Sequence, residues 1–91
     1  MAIFVVSALD AAPEGISAKI KENLPQAHSI EIKKGEWLVS FQGSSQDLSN
    51  LLDITNGELG TATVFAVRSY YGYAPRNIWD WLSANWDPAN G

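Results

Sequence analysis

The densest group of side chains able to do chemistry in this 91-residue chain is aromatic. Tyr70-Tyr71-Gly72-Tyr73-Ala74-Pro75-Arg76-Asn77-Ile78-Trp79-Asp80-Trp81-Leu82 places three tyrosines and an arginine ahead of two tryptophans. Trp79 and Trp86 lie seven apart on one helical stripe, and Ile78, Trp81 and Leu82 form the neighbouring stripe. One stripe can pack on the chain's own sheet while the other meets a partner; the plainer alternative is that both complete the core. Trp, Tyr and Arg concentrate binding energy at protein interfaces. Trp37, Tyr71, Tyr73, Arg76, Trp79 and Trp86 are therefore the candidate interface residues. A third use, stacking on nucleic-acid bases, is disfavoured because only Arg68 and Arg76 supply positive charge nearby.

Groups of the usual catalytic types are scattered. His28 is the only histidine; alone it builds no His-rich metal site, and no orienting partner for a general base is evident. Ser44 and Ser45 read as helix caps, since no Gly-x-Ser-x-Gly elbow surrounds them. Asn56-Gly57-Glu58-Leu59-Gly60 is glycine-spaced but lacks the Lys-Ser/Thr of a phosphate-binding loop, and reads as a plain loop. Lys33-Lys34 is the one tight basic pair, a turn kept wet that could also graze a phosphate backbone.

Composition narrows the classes further. Hydrophobic residues make up 46% of the chain and charged residues 18%, too apolar for disorder. A chain of this size buries only about two-thirds of its unfolded surface, enough for one core, so residues 1–91 are expected to form one domain. Ten acidic against six basic residues give a net charge of −4, which argues against a surface tuned throughout to phosphate. The lack of cysteine excludes a disulfide framework, a thiolate metal site and a cysteine nucleophile. Ala2-Ile3-Phe4-Val5-Val6 follows Met1 without a basic leader and is too short to span a bilayer, so a cytoplasmic protein with no membrane partner is expected.

Seven elements must position these groups. A short apolar run at 2–9, stopped by Asp10-Ala11-Ala12-Pro13, reads as a buried strand. Ile16, Ile20 and Leu24 recur every four residues, which predicts a helix over 14–24 ended by Pro25. From His28 the period becomes two, and it resumes after Lys34-Gly35 with Trp37, Val39 and Phe41, giving a hairpin. Ser44 with Asp47 three residues on starts a short helix carrying Leu48, Leu51 and Leu52, with Thr55-Asn56-Gly57 as its stop. A fourth strand is expected over 61–69 and a last helix from Pro75 to about Asn85, followed by a frayed tail with Pro88 and Gly91. The order β-α-β-β-α-β-α is the split pattern of an α+β, ferredoxin-like fold with an additional C-terminal helix. Its four-stranded antiparallel sheet carries two helices on one face. The open face then needs a cover, either the third helix or a second subunit.

The sequence Gly72-x-x-Pro75-x-x-x-Trp79-x-Trp81-Leu82 after a hydrophobic strand resembles the C-terminal signature of small bacterial SinR-like proteins, and Glu36-Trp37-Leu38-Val39 resembles their Trp-Leu segment. Those proteins look like relatives of the nuclease-fold adaptation subunit of CRISPR systems. The resemblance implies a ferredoxin-like fold over residues 2–82 and a tendency to form homodimers, and no settled activity. It also directs attention to Asp10, because the CRISPR family carries an aspartate at the end of its first strand and two of them across a dimer are proposed to hold a divalent cation. Hard ions take carboxylate oxygens and water, so symmetry makes a lone aspartate useful. Here Ser7-Ala8-Leu9-Asp10 puts Leu9 at the metal position when counted without gaps, with Asp10 one residue late. A shift of one residue in a strand moves a side chain to the other face.

Three readings follow. The leading one is a non-catalytic, homodimeric interaction module without a cofactor, open to an unidentified protein partner. The first alternative is a nuclease using magnesium or manganese between paired Asp10 carboxylates, with nucleic acid as substrate; the acidic balance and the displaced aspartate weigh against it. The second is a small-ligand enzyme of the dimeric α+β-barrel type, with His28, Trp37 and Tyr73 lining a pocket between sheet and helices.

Overall fold

The computed structural model describes residues 1–9 and 13–86. Along the chain run β1 (Ala2–Ala8), α1 (Pro13–Asn23), a 3-10 turn (Gln26–His28), β2 (Ser29–Lys33), β3 (Glu36–Phe41), α2 (Ser45–Leu51), β4 (Ala62–Val67) and α3 (Arg76–Asn85). The strands form one sheet in the order β2-β3-β1-β4, every neighbour antiparallel. This is the α+β, ferredoxin-like layout expected from the element order, with the third helix added. Each half of the chain contributes two strands separated by one strand of the other half, so neither half can complete its sheet alone.

Alternation along the strands divides the apolar residues between two cores. Phe4 and Val6 of β1 and Trp37 and Val39 of β3 face one way, onto Ile16 and Ile20 of α1, Leu48 of α2 and Leu52 just after it. Ile3 and Leu38 face the other way and form a second, smaller core with Leu82 of α3. Ile30 and Ile32 of β2 and Trp79, Trp81 and Trp86 pack around it. The face left bare by α1 and α2 is thus partly covered by the chain's own third helix.

Two boundaries differ from the sequence reading for physical reasons. The second helix stops at Leu51, and its C-terminal cap is Leu52, before Thr55-Asn56-Gly57. Asp53 takes the left-handed step (φ 58°), with its carboxylate 2.6 Å from Lys19 Nζ. That turn lets Leu52 and Ile54, flanking it, both enter the core, and aspartate is among the few non-glycine residues that adopt it readily. Pro75 sits one position ahead of α3 as its N-cap (φ −55°, ψ 147°) rather than within the first turn. The other start signal acts as expected: Ser44 Oγ accepts from Asp47 N–H at 3.0 Å while Ser44 N–H donates to Asp47 Oδ2 at 2.9 Å. Asp10 and the tail containing Pro88 and Gly91 lie outside the described residues.

Candidate interaction surface

The aromatic segment divides into an anchored part and an open part. α3 turns Leu82 into the second core, and Ile78, Trp79, Trp81 and Trp86 pack against the same cluster. Trp81 is held at its polar end as well, its indole N–H donating to Ala27 O at 3.2 Å beside β2. Tyr70, arriving from β4, stacks on Trp79 (centroids 5.8 Å apart, planes at 28°) and meets Trp86 edge-on at 4.9 Å. These are the separations at which aromatic pairs attract beyond simple burial. Both tryptophan stripes therefore touch the chain's own core, and Trp79 and Trp86 are half-buried.

The open part is the β4–α3 connection and the last strand. Tyr71 and Tyr73 are fully exposed, two large apolar rings carrying a hydroxyl each. Arg76 begins α3 beside them in sequence, with its Nε 4.0 Å from Asp80 Oδ2 and both side chains mostly in water. Phe65 is 57% exposed on the α3 side of β4, beyond the part of that face that the helix covers.

Trp37 is placed differently from the other candidates. It is 6% exposed, in the larger core, and its Nε1 is buried with no hydrogen-bond partner among the described residues. It also lines a groove of about 490 Å³ between the end of α1 and β2, together with Lys21, Leu24, Ser29 and Glu31. His28 and Tyr73, expected to share a pocket with it, are not among the residues lining that groove. A shallower hollow continues past Lys21 and Glu31 to the β2–β3 turn.

Several basic side chains have a carboxylate nearby. Lys33 Nζ lies 3.5 Å from Glu36 Oε2, and Lys34 Nζ lies 3.7 Å from Glu14 Oε1. With Lys19 on Asp53 and Arg76 near Asp80, four of the six basic side chains have a carboxylate of the described residues within 4.0 Å. The hydrogen bond and charge of Asp53 raise the Lys19 pKa. The Ser44 backbone N–H, then its hydroxyl, hold the Asp47 carboxyl below its ordinary value. Among the described residues, no group of three or more His, Asp or Glu side chains converges as a metal site, and no helix is long and apolar enough to cross a membrane. No family model, curated protein or solved structure matches the chain.

Two surface features escape the sequence reading. Phe65 reads as mid-strand core, and its exposure follows from where α3 lies. Tyr70 is not among the candidates that the sequence singles out, yet among the described residues it is the tyrosine that packs on the tryptophans. The alternation of Thr63, Phe65 and Val67 against Ala62, Val64 and Ala66 is the signal that could have placed Phe65 on the α3 side.

Proposed function

We propose that this chain is a non-catalytic, homodimeric interaction module, in keeping with its resemblance to SinR-like proteins. The observation that carries the reading is the exposure of Phe65, Tyr71 and Tyr73, while the tryptophans, Phe4 and Phe41 pack into or against the chain's own cores and Tyr70, itself 40% exposed, stacks on Trp79 and Trp86. Exposed rings of this kind cost solvation unless a partner covers them, and Tyr is a residue of choice at such contacts. The local pairing of Lys19, Lys33, Lys34 and Arg76 with carboxylates supports a protein partner over a phosphate backbone.

Light scattering on the eluting peak of a gel-filtration column tests the reading. A dimer in the micromolar range is expected, and a monomer at high micromolar concentration overturns it. Incubation with RNA and duplex DNA in magnesium or manganese, beside Asp10→Ala, is the second test. Cleavage by the parent that the variant loses would replace this reading with the nuclease.

A further inference from the structure

We propose that two copies of this chain join through the free edge of β4, in antiparallel register about a two-fold axis at Val64. This inference rests on the homodimer reading and assigns it a surface.

The backbone defines which groups are available. Leu9 N–H donates to Thr61 O at 2.9 Å on the β4 side of β1, while Ala8 N–H donates the other way, to Gly35 O at 2.8 Å. Alternation along β1 gives Ser7, Val5 and Ile3 the same direction as Leu9, and their register partners are Thr63, Phe65 and Val67. Ala62, Val64 and Ala66 consequently turn their N–H and C=O groups outward. No strand among the described residues pairs with them.

The two edges of the sheet are built differently. β2 carries exposed Glu31 and Lys33 and a register irregularity between them, the devices by which proteins blunt an edge. β4 reads Ala-Thr-Val-Phe-Ala-Val, with no charge, no proline and no register shift against β1. A hollow of about 420 Å³ runs beside it, lined by Ser45, Gln46 and Ser49 of α2 and by Thr55, Ala62 and Val64 among others, all uncharged.

These features select a second copy as the occupant. Each copy carries a net charge of −4, so self-association is favoured where the apposing surfaces carry few carboxylates, and the lining of this hollow carries none. The edge is also self-complementary. A two-fold axis at Val64 pairs Val64 with itself and Ala62 with Ala66, which uses all three outward residues and makes six hydrogen bonds. An axis at Thr63 or Phe65 uses only two of the three within the strand. The Val64 register sets Phe65 opposite the copy's Thr63, and it brings α2 alongside α2 of the copy. A strip about 20 Å long and on the order of 25 Å deep, the depth of a helix layer plus a sheet layer, offers roughly 500 Å² per copy. That is at the lower limit for a stable pair.

The full chain is tested by sedimentation equilibrium across the micromolar range, with Ala66→Pro and Phe65→Glu. Ala66→Pro removes one outward donor per copy without touching the β1 ladder, and should weaken the dimer at least about tenfold. Phe65→Glu perturbs an exposed side chain and keeps the test decisive if the proline variant fails to fold. The cysteine-free background permits a register test by mixing Thr63→Cys with Phe65→Cys copies under oxidation. Facing positions about 4.5 Å apart should form a mixed disulfide. Thr63→Cys alone, roughly 7–8 Å from its own copy, should not. A dimer that persists in both equilibrium variants and gives no mixed disulfide overturns the β4 edge and leaves the homodimer reading intact. A parent chain that stays monomeric overturns both.

Discussion

Replacing Trp37 by phenylalanine should leave stability nearly unchanged, although Trp37 lies in the heart of the larger core. Its ring is packed between Val6 of β1, its register partner, and the helices above, and it is 6% exposed. Phenylalanine is smaller by about 40 Å³, which costs about 1 kcal/mol as residual cavity. The lost apolar area, about 40 Å², costs about 1 kcal/mol more. Against this, the substitution removes a buried indole N–H without a partner, a group whose unmet desolvation costs about 1–3 kcal/mol. The opposing effects cancel to within about 1 kcal/mol, whereas Trp37→Ala should lose about 3–5 kcal/mol. Urea unfolding followed by far-ultraviolet circular dichroism measures both, with no reliance on indole fluorescence. A loss above about 3 kcal/mol for Trp37→Phe would refute the reasoning, because it would mean that the N–H has a hydrogen bond worth keeping.

Leu82→Ala should cost about 2–5 kcal/mol and weaken the near-ultraviolet dichroism of the Tyr70–Trp79–Trp86 cluster, since Leu82 is the buried residue of α3; an unchanged aromatic signal would show that the tryptophans hold α3 without it. Gly43→Ala should destabilise clearly more than Gly57→Ala in the same urea assay. Both glycines have positive φ, but a Cβ at Gly43 would stand 2.7 Å from Phe41 Cε2, whereas one at Gly57 meets nothing within 4 Å. Ser44→Ala should cost about 1 kcal/mol through loss of the α2 cap, read as a lower urea midpoint. The Asp47 pKa is depressed in the folded chain, so its contribution is complete above the unfolded carboxylate value and fades as pH falls through the folded one. Parent stability should accordingly fall more steeply on acidification than that of Asp47→Asn, and parallel pH profiles would contradict this.

Much of the fold is legible in local chemistry. The four-residue spacing of Ile16 and Ile20, the alternation of Trp37 and Val39, and the Ser44–Asp47 box act within one or two turns of the chain, and each forms where its pattern says. The end of α2 is not legible in this way. Asn56-Gly57 is the stronger local stop signal, but the demand to bury both Leu52 and Ile54 places the turn at Asp53. The candidate surface is legible only in part: the residue types that suit an interface stand out in the sequence, while their accessibility depends on neighbours far away in the chain. Trp37 and Tyr73 share a type that suits contact, yet one is core and the other stands in water.

By itself, the sequence determined that seven elements would form in the order β-α-β-β-α-β-α and that an aromatic-rich last helix would follow the split pattern. Period and capping are properties of neighbouring residues, so they survive without a fold. Only the tertiary structure decided that α3 lies over β2 and β3 and is tied to Ala27 by Trp81. That placement leaves Phe65 bare, and the strand order leaves Ala62, Val64 and Ala66 directed outward. An edge exists only once strands from both halves of the chain have taken their places, which is why no local pattern could mark β4 as the strand with backbone groups to spare.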